Sequence, residues 1–380
     1  MASPAPLTIV HCFRSPVGGI FRHVRDLSRA QQALGHRVGI ICDSTTGGAF
    51  EARQLEELAP ELALGVIRTP MQRHIGPGDI AAAAKTFKHV KSLKPDVLHG
   101  HGAKGGVYAR VFGSLLRVFR SRVARLYSPH GGSLHYDPDT VTGKVFFVLE
   151  KQLSRMSDAI LFVSEHERQT FLTKIGEPAC RSFMVHNGLT DPEFEPVVPE
   201  ADAADFMFMG MLRDLKGPDL FLEAVLAAKR PDGTPASGVI IGDGDDRDAL
   251  IARVKAAGAE NRITFHMPMP AREAFRLGRI IVLSSRAEAM PYTVLEALAA
   301  GKIMLASRVG GIPEILGTDS PALMEPEQAS VSATMQAALD DEARFAAAMP
   351  SPATLHQRFS ASAMAASINA IYAAILSGDA

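Results

Sequence analysis

The stretch SSRAEAMPYTVLEALAA at residues 284–300, which we call the deciding stretch, is the most informative part of the second half of the chain. It follows residues 280–283, a continuous apolar run that predicts a buried strand. After Pro291, which suits the first position of a helix, apolar residues recur at helical spacing among good helix formers. Gly301 suits the cap just past that helix, and residues 303–306 predict a second strand. The stretch is therefore the loop and helix of a strand–loop–helix–strand unit.

Two glutamates lie in this stretch, Glu288 in the loop and Glu296 roughly one turn inside the helix. At the carboxyl edge of a parallel sheet, the free N–H groups and positive dipole end of such a helix form an anion site. Carboxylates at the two positions would hold sugar hydroxyl groups on either side of a phosphate bound by backbone N–H groups. The plainer interpretation is that both are solvated surface acids, because a glutamate pair at this spacing is common by chance.

A longer pattern of residues surrounds the two glutamates. Residues 288–301 read Glu-x-x-Pro-x-x-x-Leu-Glu-Ala-x-Ala-x-Gly, and residues 309–314 continue with Val-Gly-Gly-Ile-Pro-Glu. This pattern closely resembles family 4 of the retaining nucleotide-sugar glycosyltransferases. The resemblance is specific because the paired glutamates, the helix and the Gly-Gly loop come in one order. One departure is Ala289, where the family usually has Gly after the first glutamate.

The resemblance implies an α/β fold of the GT-B class, in which two Rossmann-like domains face each other across a cleft. In that fold Glu296 is expected to hold the ribose hydroxyl groups, and Glu288 the hydroxyl groups of the donor sugar. Pro291 has no N–H group to donate. The backbone N–H groups expected to meet the phosphate are those near Met290, Tyr292 and Thr293.

Length and composition set the class of protein. A chain of 380 residues is long enough for two domains, and 47% apolar with 21% charged residues indicates a globular protein with a substantial core. The three cysteines offer neither a disulfide framework nor zinc-ligand spacing, which favours a reducing intracellular setting. No signal peptide or bilayer-spanning run is recognised, so a cytoplasmic location is expected. The cysteines are Cys12, Cys42 and Cys180.

The net charge of −1 conceals an asymmetry between the two halves of the chain. Residues 1–198 contain 24 Lys and Arg against 18 Asp and Glu, whereas the remainder contains 16 against 23. Halves of opposite sign indicate different partners. The basic half lacks the dense Lys and Arg clusters, interleaved with aromatic residues, that nucleic-acid binding would need.

The chain opens with the pattern of a doubly wound sheet. Residues 7–12 and 38–42 predict strands, with a helix between them. The loop after the first strand contains Gly18 and Gly19 but lacks the spacing of a dinucleotide-binding loop, which disfavours a nicotinamide dehydrogenase. The two glycines allow either a tight turn or close approach of a ligand to the backbone. The resemblance favours the second and implies that they face the donor diphosphate.

Histidines follow two further predicted strands. Residues 96–101 read Asp-Val-Leu-His-Gly-His, and strand alternation puts His99 and His101 on one face with no acidic partner nearby in the sequence, which disfavours a metal site. The resemblance instead places this segment, with Lys104 after it, along the acceptor side of the cleft. His130 lies between Pro and Gly-Gly, and the resemblance implies that it contacts the donor sugar or phosphate.

A basic amphipathic stretch lies between Asp96 and Asp137, where no acidic residue occurs. Apolar residues interleave with its arginines, a pattern that fits either an anionic membrane face or an ordinary exposed helix packed by its apolar stripe. Relatives in the resembled family act on lipid-linked acceptors through a basic N-terminal face, which supports the membrane alternative. The arginines assigned to that face are Arg117, Arg120 and Arg122.

The diphosphate site of the second half is expected after residues 206–210, which predict a strand, in the segment MLRDLKG at residues 211–217. The resembled family usually reads Gly-Arg-Leu-x-x-x-Lys-Gly here. Lys216 therefore matches directly, whereas Arg213 stands two residues after the position of the family's Arg. Both cations are expected to neutralise the departing nucleoside diphosphate.

An acidic turn follows the next predicted strand. Asp243 and Asp245 imitate a metal-binding pair, but a turn after a strand explains them more simply. The resemblance places Gly242 beside the nucleotide and implies that donor binding needs no metal. Neither a metal nor another cofactor is therefore expected.

These patterns predict an N-terminal domain over residues 1–190, a linker over 191–204 and a nucleotide-sugar domain over 205–358, with a helix at 359–376 packing back on the first domain. The implied activity is a retaining hexosyltransferase that moves a sugar from a UDP or GDP sugar to a lipid-linked or saccharide acceptor. Bacterial lipopolysaccharide or exopolysaccharide synthesis fits this activity. A nucleotide-sugar epimerase and a non-catalytic nucleotide-sugar-binding subunit remain as alternatives.

Overall fold

The computed structural model describes residues 5–71, 77–119 and 122–378, with the backbone alone for Phe50 and residues 77–80. Within these ranges the chain forms two compact units. Unit 2 is Leu189–Ser360, and unit 1 consists of the described residues on either side of it. The chain therefore begins and ends its described part in unit 1.

Unit 1 alternates strands and helices, as expected for a doubly wound sheet. In chain order its elements before unit 2 are β1 Thr8–Phe13, α1 Gly18–Ala33, β2 Arg37–Asp43, α2 Ala49–Leu58, β3 Val66–Thr69, α3 Pro77–Leu93, β4 Val97–His101, α4 Gly102–Val118, β5 Ala124–Ser128, α5 Val141–Ser154, β6 Ala159–Phe162, α6 Glu165–Lys174 and β7 Arg181–Met184.

Unit 2 repeats the alternation. Its elements are β8 Ala204–Met209, α7 Pro218–Ala227, β9 Gly238–Ile241, α8 Arg247–Ala256, β10 Ile263–His266, α9 Ala271–Ala274, β11 Gly278–Leu283, α10 Tyr292–Ala299, β12 Ile303–Ser307, α11 Ile312–Leu316, β13 Leu323–Met324, α12 Gln328–Asp340, α13 Glu342–Ala347 and α14 Pro352–Phe359. A last helix, α15 Ala361–Ser377, belongs to unit 1.

Each unit contains one parallel sheet. The strand order is β3-β2-β1-β4-β5-β6-β7 in unit 1 and β10-β9-β8-β11-β12-β13 in unit 2. In both sheets the order of the strands reverses beside the first strand, β1 or β8. Ligands of such sheets bind beyond the carboxyl ends of the strands at this switch point. The confirmed fold class, two Rossmann-like α/β domains, therefore indicates where each unit would hold a ligand.

Apolar strands and the helices that cover them form the cores. In unit 1, Met364 and Ile368 of α15 pack with Ile9 of β1 and Leu126 of β5. In unit 2, phenylalanines and aliphatic residues of β8, α7, β11 and β12 form one cluster. Both faces of the central strands are buried, which explains their continuous apolar runs.

Several expected boundaries differ from the structure. Residues 191–204 belong to unit 2 and include a 3-10 helix, Asp191–Phe194. Pro291 has an extended backbone and is the N-cap of α10 rather than its first residue. The helix expected at residues 359–376 is interrupted at Ser360, where α14 has ended and α15 has not begun. Among the helices that the structure describes, none is long and apolar enough to cross a bilayer.

Candidate active site

Two loops of unit 2 meet at the switch point of its sheet. One follows β8 and contains a 3-10 helix at Asp214–Lys216, and the other follows β11 and leads into α10. Because β8 and β11 are neighbouring parallel strands, both loops leave the same edge of the sheet. The deciding stretch therefore lies at the expected ligand edge.

The side chains of Lys216 and Glu288 form an ion pair across these loops. Lys216 Nζ donates to Glu288 Oε1 at 2.6 Å, and Ser285 Oγ donates to the same oxygen at 2.7 Å. The Glu288 side chain is only 8% exposed and that of Lys216 20%. The pair is therefore largely shielded from water, where its electrostatic attraction is stronger than on the surface.

Arg286 ties the two loops together. Its guanidinium donates to Asp219 at the start of α7, with Nη2 to Oδ2 at 2.7 Å and Nη1 to Oδ1 at 3.0 Å, and its backbone N–H donates to Leu215 O. No role was predicted for Ser285 or Arg286 from the sequence. The sequence signal was their position beside Glu288 in the deciding stretch.

Gly217 and Ser284 lie in direct contact beneath this clamp. Gly217 adopts a left-handed backbone with φ of +64°, and a Cβ atom there would lie 2.1 Å from Ser284 O. Ser284 Oγ donates to Gly217 O at 2.6 Å. Glycine is thus required immediately after Lys216, because of both backbone conformation and space.

The Gly-Gly loop after β12 supports the backbone of Glu288. Gly310 has a φ of +59°, and a Cβ atom there would lie 2.1 Å from Glu288 O. The N–H group of Gly311 donates to Ala289 O at 2.6 Å. Residues 288–289 therefore rest on this loop, which explains why the motif contains both segments.

The N-terminus of α10 has the properties expected of an anion site. No side chain caps it, and its first turn contains no acidic residue. Met290 and Tyr292 are buried, Thr293 is half-buried, and Glu296 is buried one turn further along. The first-turn N–H groups of a helix are left without intrahelical partners and carry partial positive charge.

Four further residues of unit 2 have settings unlike that of the Lys216–Glu288 pair. Arg213 is exposed, and its guanidinium has no partner among the described residues. At Gly242 a Cβ atom would lie 1.9 Å from Gly210 O, so close packing alone is enough to require glycine at this position. Asp243 and Asp245 are exposed, and Asp243 accepts the N–H group of Gly244 in the expected turn.

Unit 1 holds a cluster of five histidines at its own switch point. We call His11, His23, His99, His101 and His130 the histidine cluster. His11 Nδ1 lies 3.0 Å from His101 Nε2, and His101 Nδ1 lies 3.1 Å from His130 Nε2. The rings of His99 and His101 are 4.1 Å apart. The structure therefore brings His101 and His130 together, as two members of one hydrogen-bonded network.

Burial determines the charge state of the histidine cluster. It lowers the pKa of His11 and of His23 to about 4. For His99, His101 and His130, burial lowers the pKa well below 6.5, and the neighbouring rings lower it further. All five rings are therefore neutral at pH 7.

His11 and His23 were not predicted from the sequence as members of a site. Each occurs as a single histidine in an ordinary strand or helix. The pairing of β1 with β4 brings His11 to His101, and the packing of α1 brings His23 there. The register pairs His11 with His99.

The loop that presents His130 is strained. His130 has a φ of +49°, and Gly131 and Gly132 also have positive φ angles. Glu167 accepts the N–H groups of Gly131 and Val163, at 2.5 and 3.0 Å, and holds this loop against β6. Burial raises the pKa of Glu167 to about 7. Non-glycine residues in this backbone region persist where the surroundings fix them, often at functional sites.

Two further predicted segments of unit 1 lie at helix starts. Gly18 and Gly19 are exposed and begin α1, whose N-terminus no side chain caps. Gly18 has a φ of +71° with open space around it, so its backbone conformation alone favours glycine. Lys104 is half-buried in the first turn of α4.

The basic stretch is not a single solvent-facing surface. Arg110, a further arginine of this stretch, is fully buried and paired with Glu150, so it lies on no exposed face. Arg117 donates to Asp158 at 2.6 Å and shares that carboxylate with Arg125. Arg122 is exposed, whereas Arg120 lies outside the described residues.

Comparison with known families covers both units. Residues 18–188 match the glycosyl transferase 4-like domain, and residues 191–354 match the glycosyl transferases group 1. The chain belongs to this glycosyltransferase family. The resemblance inferred from the deciding stretch is thereby confirmed.

Relatives of this glycosyltransferase differ in the activities for which they are named. It is 26% identical over 351 residues to a phosphatidylinositol N-acetylglucosaminyltransferase subunit from Arabidopsis thaliana, covering 86% of this chain and 73% of that protein. It is 24% identical to D-inositol 3-phosphate glycosyltransferase of Corynebacterium glutamicum, with 86% and 79% covered. The fold matches Anabaena Alr3699/HepE, solved in complex with UDP, with a TM-score of 0.78, 16% identity, and 97% and 100% of the two chains covered.

Proposed function

We propose that unit 2 binds a nucleoside diphosphate sugar, and that the enzyme transfers this sugar to an acceptor with retention at the anomeric carbon. The observation that carries the proposal is the shielded Lys216–Glu288 pair at the carboxyl edge of the sheet. A pair of opposite charges at this position can serve two groups of one ligand, an anion and a set of hydroxyl groups. UDP or GDP is the proposed carrier, and the UDP complex of the Anabaena protein supports the former.

The pair changes partners when the donor binds. The diphosphate attracts the Lys216 ammonium more strongly than a single carboxylate does, because it carries more negative charge. Glu288 then accepts hydrogen bonds from the sugar hydroxyl groups while still held by Ser285. Arg213, exposed and without a partner among the described residues, is free to turn toward the same diphosphate.

The start of α10 completes the proposed donor site. Backbone N–H groups near Met290, Tyr292 and Thr293 bind the phosphate, and buried Glu296 accepts from the ribose hydroxyl groups. Departure of the diphosphate increases its negative charge, which these donors and Lys216 stabilise. No covalent nucleophile is assigned, so the leaving phosphate itself acts as the base on the same face. Neither a metal nor another cofactor is part of this proposal.

The proposed acceptor is lipid-linked, reached at an anionic membrane face. Helix α5 supports this proposal, with a stripe of four apolar side chains that are 49% to 79% exposed. The only acidic residue of α5, Glu150, points inward to Arg110, while Lys144 and Lys151 are exposed beside the stripe. Basic amphipathic helices of this kind lie in the interface of anionic membranes. The stripe consists of Val141, Val145, Val148 and Leu149.

A thermal-shift screen tests donor binding. The protein is heated with UDP, GDP, ADP or dTDP and with their common sugar forms, since a ligand of the folded state raises the melting temperature. We expect one nucleotide to raise the midpoint clearly above the others, and the Lys216→Ala variant to lose most of that rise. If none of these nucleotides raised the melting temperature, the proposed donor site would be overturned.

A further inference from the structure

We propose that Gln31, His11 and His101 are positioning residues that fix the tautomer of His130, so that His130 Nδ1 is a bare hydrogen-bond acceptor for a substrate hydroxyl group. The rings of His11, His101 and His130 are hydrogen-bonded in that order, and we call them the histidine row. The row runs from the buried His11 to the half-buried His130. A neutral imidazole has one donor and one acceptor nitrogen, so each bond in the row determines the next.

Gln31 sets the direction of the histidine row. Its amide nitrogen donates to Asn369 Oδ1 at 3.0 Å, which orients the amide, and its Oε1 lies 2.8 Å from His11 Nε2. An amide oxygen only accepts, so His11 Nε2 carries the hydrogen and His11 Nδ1 is bare.

The same reasoning assigns the ring hydrogens of His101 and then of His130. His11 Nδ1 accepts from His101 Nε2, which leaves His101 Nδ1 bare. His101 Nδ1 then accepts from His130 Nε2, which leaves His130 Nδ1 bare. That last nitrogen has no partner among the described residues. Gln31 therefore determines, through three hydrogen bonds, that the unprotonated nitrogen of His130 is Nδ1.

The row holds a single protonation pattern because it stays neutral. None of the partners described for the cluster's ring nitrogens is a carboxylate; they are ring nitrogens, amides and hydroxyl groups. An added proton would place an unpaired charge among buried rings, which desolvation strongly disfavours. The lowered pKa values of the rings agree with this.

An unprotonated Nδ1 on His130 can bind only a group that donates a hydrogen bond. A sugar hydroxyl group can donate to His130 Nδ1, whereas a phosphate oxygen, also an acceptor, would be repelled. The functional part of this inference rests on the proposed glycosyl transfer, but the tautomer itself does not. Of the two contacts expected for His130, sugar or phosphate, the row therefore favours the sugar.

A metal ion is the competing occupant of the cluster. Nitrogens of His23, His101 and His130 lie within 4.8 Å of one another, as do those of His11, His99 and His101. His23 Nε2 is buried without a partner among the described residues. In both sets, however, two nitrogens already share a hydrogen bond, and binding a metal at His101 Nδ1 and His130 Nε2 would require His130 to move its proton to Nδ1. Metal binding would thus reverse the proposed tautomer.

Nitrogen-15 NMR of the full-length protein tests the tautomer directly. We expect the hydrogen of His130 on Nε2 in the wild type, a mixture of tautomers in His101→Phe, and no change in Ser128→Ala. Ser128 bonds His99 outside the row and is equally buried, so it is a matched control. If His101→Phe does not fold, Gln31→Leu tests the same row. A wild-type hydrogen on Nδ1, or stoichiometric binding of Zn²⁺ to the native protein, would overturn the proposal.

Ligand binding provides the functional arm. With UDP-glucose as probe, His130→Phe is expected to lower kcat/KM about tenfold, the usual effect of one lost hydrogen bond, while the Kd for UDP stays within about twofold. An equal weakening of UDP would instead indicate a phosphate contact and overturn the assignment. If the wild type binds neither UDP nor UDP-glucose, the proposed donor fails while the NMR result on the tautomer still stands.

Discussion

Lys216 Nζ and Glu288 Oε1 are 2.6 Å apart, although 72 residues separate them in the chain. Lys216 lies in the loop after β8 and Glu288 in the loop after β11, and these two strands are adjacent in the sheet. The two charges satisfy each other when no donor is bound. Removing either one therefore has two effects, since it deletes a ligand contact and leaves the other charge without its partner.

We expect Glu288→Ala and Lys216→Ala each to lower turnover at least tenfold, because each would lose a charged contact to the donor. Glu223→Ala is the matched control, since its pairing with Arg253 is exposed on the same unit and contributes little. Turnover is measured with the nucleotide sugar found in the thermal-shift screen. Near-normal rates in both site variants would exclude the assigned roles.

Gly217→Ala is expected to lower both stability and turnover. The new Cβ atom would strike Ser284 O and displace Lys216 from Glu288. Gly233→Ala separates the two causes, because Gly233 also has a positive φ, +85°, but has open space around it. The control should cost roughly 1–2 kcal/mol from the left-handed backbone alone. Urea unfolding measures the difference, and equal losses in the two variants would argue against the predicted clash.

Glu150→Ala is expected to destabilise the protein by about 3–5 kcal/mol, because it leaves the Arg110 guanidinium buried and uncompensated. Arg110 also lies over the Tyr127 ring at 4.0 Å, so it cannot turn toward water without losing that contact. Glu165→Ala, which breaks the exposed pair with Arg168, should cost under about 1 kcal/mol. Chemical denaturation measures the loss of unfolding free energy in the two variants. Similar losses in both would contradict the predicted importance of the Arg110–Glu150 pair.

Acid is expected to destabilise unit 1 between pH 6.5 and about 4. His11 and His23 have pKa values of about 4 when folded, against about 6.5 when unfolded, so in this range the unfolded chain binds more protons. Their contribution is fully present above pH 6.5 and falls by up to about 3 kcal/mol per histidine as the pH drops through this window. Glu167, whose pKa is raised to about 7, acts in the opposite direction.

Thermal melts from pH 7.5 to 4.5 measure the net effect of these groups. Several histidines oppose one glutamate, so we expect the melting temperature to decrease steadily below pH 6.5. A melting temperature that is constant or rises on acidification would contradict the assigned neutral state of the histidine cluster.

Negative charge on α5 is expected to abolish binding to anionic vesicles. Val145→Glu and Val148→Glu place carboxylates on the exposed apolar stripe, where they would meet acidic lipid headgroups. Val198→Glu, at an exposed apolar residue of unit 2, is the control. Co-sedimentation with vesicles that contain phosphatidylglycerol measures binding, and an unchanged bound fraction in both α5 variants would remove α5 as the membrane face.

Local patterns predicted the fold class, because strands and helices alternate with clear periods and the residues 288–301 motif is compact in sequence. The resemblance to family 4 predicted that Glu288 and Lys216 contact one donor, and the structure brings the two side chains together. The pairing distance, and the contributions of Ser285 and Arg286, depend on how two loops meet and are not encoded in spacing. The burial of Arg110 could not be predicted either, because its partner Glu150 lies 40 residues away in the chain. His11 and His23 were missed because strand order and helix packing, which local patterns do not specify, bring them to His101.

The division of unit 1 into two segments has a consequence for synthesis of the protein. Gln31 of α1 and His99 of β4 are bonded to Asn369 and Tyr372 of α15, which lie beyond the whole of unit 2. Unit 2, by contrast, joins its own two ends through a hydrogen bond from Leu189 N to Phe359 O. On the ribosome, residues 189–360 are therefore complete before the first-made part of the chain can close its core.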